Sequence, residues 1–365
     1  LTPQLLSKRV TFFTRRSSAD KLPVMGITPR ENQPTTPRNA GLDGLRAIAA
    51  LMVVGSHTII PSYYGSFAVW LFFTLSGYLL GSQLLSKETW SGSVIPVYLA
   101  RRFLRIYPLY AVVVICTAII GVKLQVYGFT WAVDHLLFIS GEGYLWTVKQ
   151  EMLFYILLPG ILCFLVPLQS RPLLGAIVLC AMGLLAMRFL TVDVASLRMT
   201  PTTVTEIKIA PFIFGVAAAS FARSDILNHI NLGAAKVVGS TLALTIFLIL
   251  PPLFWRQLGT IEPFIDVGMA TIVLLIHHGL MGPLQSILTF RPIQLLGVIG
   301  YGFYLWHWPI ELVVSYFGVT DEIIKLFWVV VITIPLATIT YIAIERPFML
   351  IRFRSAKPMA VSTVS

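Results

Sequence analysis

Long stretches of this chain carry no formal charge, and that constrains its fold more than any other feature. No Asp, Glu, Lys or Arg occurs between Arg46 and Lys87, between Glu151 and Arg171, between Lys236 and Arg256, between Asp266 and Arg291, or between Lys325 and Glu345. A helix needs about 20 apolar residues to cross the hydrocarbon of a bilayer, and several of these runs supply one crossing or more. Backbone in hydrocarbon must satisfy its own hydrogen bonds, which leaves helices as the economical solution for uninterrupted apolar runs. The expected fold is therefore all-α, a polytopic transmembrane helical bundle. Composition agrees: 12% of the 365 residues are charged, where a soluble domain carries about 25%.

Ten spans are expected, near 45–61, 66–85, 106–124, 145–168, 172–190, 207–222, 235–254, 264–281, 293–317 and 326–345. Residues 1–40 contain Pro3, Pro23, Pro29, Pro34 and Pro37 among Ser, Thr and Arg. They read as a flexible basic tail. Residues 41–350 form the membrane domain, and 351–365 a second tail. With the N-terminus in the cytoplasm and ten crossings, twenty basic residues fall on the inner side. Only Lys123, Arg188, Arg198, Lys208, Arg256 and Lys325 fall outside, and Lys149 lies within a span. Such a bias predicts a multi-pass inner-membrane protein with both termini cytoplasmic. It also accounts for the net charge of +11, which in a soluble chain would point to nucleic acid; no nucleic-acid partner is expected here. Cys116, Cys163 and Cys180 all lie in apolar runs and read as small buried hydrophobes. No signal peptide is visible and no internal repeat is found, which argues against a transporter built from duplicated halves.

Against this apolar background a few polar groups stand out. Arg46 and His57 are eleven positions apart, about three helical turns. They share one helix face and lie about 16 Å apart along the axis. An anchoring arginine with a hydrogen-bonded core histidine would explain them. So would a long ligand with an anionic head at Arg46 and a reactive end at His57, and ionisable groups inside spans favour function. Arg102 and Arg105 are three apart at the inner membrane edge, where they serve either as topological anchors or as forks for a polyphosphate. Lys149 and Glu151 enter a span from the outer side. Glu151 either snorkels to water, orients a protonated His57, or acts as a base itself. His307 is flanked by Trp306 and Trp308, as in an interface belt, and Pro309 predicts a break in its helix. His277 and His278 point in different directions and make a poor metal site; no metal is expected. His135 and His229 read as loop residues. Ser76, Gly77 and Gly81 are small enough for close helix packing.

Taken in order, these stretches resemble the acyltransferase-3 family of integral membrane acyltransferases. The family pattern of Arg, ten residues and His matches Arg46 and His57, and "LFFTLSGYLL" from Leu71 to Leu80 matches its second span. Arg102 and Arg105 precede "IYP" at 106–108. Trp146, Glu151, Phe154 and Tyr155 match a further motif, as do Gly297 to Pro309 and a terminal "IERP" at Ile344–Pro347. The resemblance covers 41–350. The chain departs from the pattern with Gln150 before Glu151, where two acidic residues are usual, and with Gly300 in place of a serine before Tyr301.

The resemblance implies a membrane O-acyltransferase. Its donor would be cytoplasmic acyl-CoA, with acetyl-CoA the expected co-substrate, and it would hold no permanently bound cofactor. Its acceptor would be a hydroxyl of a surface glycan or lipid-linked sugar. His57 and Glu151 are the implied catalytic residues. Arg46, Arg102 and Arg105 would hold the donor, and Tyr155, Trp146 and His307 would contact substrate. Many relatives carry a C-terminal soluble hydrolase-like domain. The sequence ends at Ser365, so transfer is expected directly to the acceptor or through a separate acceptor-side partner protein. The alternative is a glycolipid or small-molecule transporter or flippase with a proton-relay histidine.

Overall fold

The computed structural model describes residues 39–85, 94–141, 143–190, 208–224, 226, 232–254, 258–351 and 353. Most of both expected tails, and His229, lie outside the described residues. The described residues form helices and no strand: α1 (Ala40–Ser56), α2 (Ser62–Leu85), α3 (Val94–Leu124), α4 (Phe129–Leu136), α5 (Trp146–Leu165), α6 (Pro172–Leu190), α7 (Ala210–Phe221), α8 (Leu232–Leu244), α9 (Leu250–Phe254), α10 (Leu258–His277), α11 (Gly282–Leu288), α12 (Arg291–Val298), α13 (Gly300–Tyr316), α14 (Glu322–Thr340) and α15 (Arg346–Met349).

Four stretches among the described residues are long and apolar enough to cross a membrane: Ser62–Leu85, Val94–Leu124, Gly143–Leu168 and Glu322–Met349. A fifth counts if Glu262–His277 and Gly282–Leu288, bent by 77°, make one broken span. Ten were expected. The difference lies in elements such as α1 and α7, which are helical but short. The expected 45–61 span is α1 plus a turn, because the helix stops at Ser56 and the chain reverses before Pro61. The expected 293–317 span is two helices. Its break falls at Ile299, between α12 and α13, and α13 runs unbroken through Pro309.

Local chemistry sets the start of α1. The Asn39 side chain accepts hydrogen bonds from the Gly41 and Leu42 amides at 3.1 and 3.2 Å, satisfying two of the orphan donors of the first turn. Asp43 sits in that first turn, where the helix dipole favours a carboxylate.

The interior is organised around α2 and α7, whose backbones lie almost in contact. A Cβ on Gly77 would collide with the Phe212 carbonyl, and one on Gly215 with the Thr74 carbonyl. At Gly81 a Cβ would meet Val216 Cα at 3.2 Å. The close packing expected of Gly77 and Gly81 is therefore present. The first helix is held as tightly: a Cβ at Gly44 or Gly297 would strike the carbonyl of Leu288 or Asp43. The cysteines depart from expectation, since Cys163 is exposed and Cys116 and Cys180 are half-buried.

Candidate active site

His57 caps α1, just beyond its last turn, and its side chain is exposed. Its ring lies 5.3 Å from the His307 ring and 5.2 Å, edge-on, from Trp308. These are the eighth and ninth residues of the seventeen in α13, so the α1–α2 hairpin ends against the middle of that helix. The eight residues from Pro309 to Tyr316 carry α13 roughly 12 Å beyond Trp308.

His307 is fully buried. Its Nδ1 hydrogen-bonds the Tyr304 carbonyl. A carbonyl only accepts, so Nδ1 holds the proton and the neutral ring keeps its basic lone pair on Nε2. Nε2 is buried with no hydrogen-bond partner among the described residues.

Below the histidines the polar groups continue inward. The Tyr304 hydroxyl accepts from Thr147 Oγ1 at 2.8 Å and donates to the Tyr144 carbonyl. Tyr304 is within electrostatic reach of Glu151. Glu151 Oε1 accepts from Ser76 Oγ at 3.0 Å and from the Tyr155 hydroxyl. The Tyr155 ring lies 6.0 Å from the Arg102 guanidinium, which also sits 5.8 Å from Tyr98. Arg102 Nη2 donates to Gln83 Oε1 at 3.1 Å. Arg105 is exposed, and both arginines are within electrostatic reach of Tyr155. Two groups of polar side chains thus sit in an apolar bundle, one around His57, His307 and Tyr304 and one around Glu151, Tyr155 and Arg102.

The structure therefore joins His57 with His307, and Glu151 with Tyr155 and Arg102, while Arg105 is exposed. The hydrogen bonds of Glu151 go to α2 and along its own helix, and neither reaches His57, whose orientation was one of the roles open to it. The reason is the rotation of α5, which turns Glu151 toward Ser76. Arg46 forms an ion pair with Asp43 at 2.7 Å, and its stem lies against the start of α13, where a Cβ on Gly300 would sit 3.4 Å from Arg46 Cγ. Trp146 packs edge-on against Phe73 at 5.7 Å, within the aromatic stack that Phe73 forms with Phe212.

Comparison with known proteins follows the same residues. A family model described as Acyltransferase domain matches residues 39–343. The chain belongs to the acyltransferase-3 family. It is 25% identical to "O-acetyltransferase OatA" of Staphylococcus aureus (strain NCTC 8325 / PS 47), over 84% of this chain and 56% of that protein. It is 25% identical to "Peptidoglycan O-acetyltransferase OatA" of Listeria monocytogenes serovar 1/2a, over 74% of this chain and 49% of that protein. A shorter match, 35% identical over 26% of this chain and 52% of the relative, is to "Protein 2 in picA locus" of Rhizobium radiobacter. The chain spans about half the length of the OatA relatives it matches. No solved structure matches it.

Within this acyltransferase-3 chain, two polar features escaped the sequence reading. His135 is a buried residue of α4 rather than a loop residue; its Nδ1 lies 2.7 Å from the Trp131 carbonyl and its ring 4.1 Å from the Trp131 ring. The second is a buried charge cluster. Lys208 pairs with Glu262 at 3.1 Å and lies 5.6 Å from the Trp70 ring, while its amide donates to Gln150 Oε1 at 3.2 Å. Asp266, one turn along from Glu262, is fully buried, and neither carboxylate oxygen has a hydrogen-bond partner among the described residues. The i, i+4 spacing of Glu262 and Asp266 was the available signal.

Proposed function

We propose that this chain is a membrane O-acyltransferase. It moves an acyl group, acetyl in keeping with its relatives, from cytoplasmic acyl-CoA to a hydroxyl of a surface glycan or lipid-linked sugar. The observation that carries this reading is the pair of polar groups inside the bundle, exposed His57 beside buried His307 and Glu151 bonded to Tyr155 beside Arg102. Such groups are costly to maintain in an apolar bundle, and ionisable groups at membrane depth mark substrate routes.

On the expected topology, with both ends in the cytoplasm, Arg46, Arg102 and Arg105 would lie on the inner side and His57 toward the outer half. The guanidinium forks suit the phosphates of the donor. The rise of about 16 Å from Arg46 to His57 is comparable to the reach of a pantetheine arm. His57 takes the proton of the acceptor hydroxyl as general base. The acceptor oxygen forms a bond to the thioester carbon, the carbon–sulfur bond breaks, and the thiolate takes up a proton to leave as free CoA. Attack by His57 itself, giving a transient acyl-imidazole that the acceptor then resolves, uses the same residues. Glu151 holds Tyr155 and faces Arg102, so its part is to position the donor end. Tyr155, Trp146 and His307 line or brace the substrate route.

The test is reconstitution. Full-length protein in proteoliposomes with labelled acetyl-CoA and a glycan acceptor should release free CoA thiol and ester-linked label in equal amounts. Acceptor movement across the membrane without thiol release would instead favour a transporter.

A further inference from the structure

The aromatic residues around His57 form an assembly of their own. Trp308 lies edge-on to His57 at 5.2 Å, and its indole nitrogen donates to the Tyr127 hydroxyl at 3.1 Å. The Tyr127 ring stacks on Trp131 at 4.5 Å, with 21° between the planes. Tyr144 is tilted 30° against Trp308 at 6.0 Å. Trp308, Tyr127 and Trp131 are half-buried, so part of each ring stays open, and Trp308 lies beside the exposed imidazole.

The backbone gives something up to hold these rings there. Gln125 and Phe138, at φ 57° and 55°, are the non-glycine residues with positive φ among the described residues. Each ends a helix, α3 and α4 respectively, at a position where glycine or asparagine is usual. Left-handed backbone is unfavourable for a side chain as bulky as phenylalanine, and such outliers cluster at functional sites. Here they bracket α4 and set the rotation of Tyr127 and Trp131. Packing holds the second turn, because Phe138 stacks on Tyr110 at 5.2 Å and Tyr110 donates to the His135 carbonyl at 2.9 Å. Gly121 completes the arrangement: a Cβ there would come within 2.6 Å of the Tyr127 ring, so only glycine lets that ring lie against α3.

A membrane-interface belt offers a weaker account. Belt aromatics sit at the headgroup level with their polar ends in water. These rings pack on one another and on a histidine pair, and the Trp308 N–H is committed to Tyr127. Open, rigid rings with a few oriented polar groups fit a ligand with one flat, weakly polar face and hydroxyls around its edge. A pyranose ring has that shape.

We infer that Trp308, Tyr127 and Trp131 are a stacking platform for a pyranose ring of the acceptor, which turns the hydroxyl to be acylated toward His57. The platform rests on the acyltransferase reading for the role of His57, yet saccharide binding can be measured without turnover.

The test uses the full chain in nanodiscs, with tetrasaccharides of β-1,4-linked N-acetylglucosamine and glucose as probes. Ligand-observed NMR reports their binding, and a separate titration reports acyl-CoA binding. Wild type should bind at least one probe. Trp308→Ala should weaken that affinity fivefold or more, and Trp308→Phe should stay within about threefold of wild type. Gly121→Ala, which displaces Tyr127 and leaves Trp308 intact, should weaken it too. Acyl-CoA affinity should be unchanged in all three, which also shows them to be folded. Wild type that binds neither probe would overturn the platform, as would Trp308→Ala and Gly121→Ala proteins that bind as wild type does. Saccharide binding that depends on Trp308, in a protein that never consumes acyl-CoA, would refute the acyltransferase reading and leave the platform standing.

Discussion

Glu151→Gln separates two accounts of the interior. The side chain keeps its shape and loses its charge. In the wild type, Oε1 accepts from Ser76 at 3.0 Å and from Tyr155, and the carboxylate is within electrostatic reach of Arg102. Hydrogen bonds to a charged group are worth about 1.5–3 kcal/mol and neutral ones about 0.5–1.5. Two such bonds, each weakened by about 1–1.5 kcal/mol, amount to roughly 2–3 kcal/mol. If Tyr155 and Arg102 then leave their donor-binding positions, acyl-CoA affinity should fall by about thirty- to a hundredfold. The assay is a direct acyl-CoA titration beside single-turnover transfer at saturating donor. The affinity should drop while the saturated rate falls far less. Retained donor binding with a collapsed rate would refute this reasoning and place Glu151 in the chemistry, as a partner of His57 or a base itself, two of the roles the sequence left open. Full activity would remove Glu151 from the site.

Other residues yield independent tests. Arg102→Ala should cost about ten- to a hundredfold in acyl-CoA affinity, the worth of a charged hydrogen bond, and Arg102→Lys should recover only part because the fork is lost; a titration that detects no change would leave Arg102 a topological anchor. Lys208→Ala leaves Glu262 buried without its cation and should destabilise the protein by about 3–5 kcal/mol, visible as a lower unfolding midpoint in detergent. Asp266→Asn keeps the shape at a buried site where neither carboxyl oxygen has a hydrogen-bond partner among the described residues, and should be neutral or stabilising in the same melt; a large loss there would mean that the carboxyl group itself is needed.

The sequence was most informative where one property suffices. Uncharged runs announced helices, and every expected span coincides with helix for most of its length. Small residues in "FTLSGYLLG" announced the close approach of α2, though not that α7 would be its partner, since Gly215 lies in an ordinary-looking apolar segment. Arg46, His57, Arg102, Glu151 and His307 stood out because charge and imidazole are rare in such surroundings. Their grouping was not legible, because helix rotation decides it. A few tens of degrees about the α5 axis separate Glu151 facing Ser76 from Glu151 facing elsewhere, and no local signal fixes that angle. The exposure of His57 was equally hidden: an apolar run continues past Ser56, and it is the turn bonds, among them the Ile60 amide to the Gly55 carbonyl at 2.9 Å, that show the helix has ended. Pro309 misled for a related reason, since neighbouring helices can accommodate a proline that would break an isolated one.

The central claim is that His57 acts on the acceptor hydroxyl, and His57→Ala tests it most directly. Because His57 lies beyond the last turn of α1 and is exposed, its removal should leave the fold and acyl-CoA affinity intact. With wild-type and variant protein at matched amounts in proteoliposomes, the account predicts that ester-linked label on the glycan acceptor falls by at least about a hundredfold, the scale of a lost general base. Label transfer by His57→Ala at the wild-type rate, with donor binding unchanged, would contradict it.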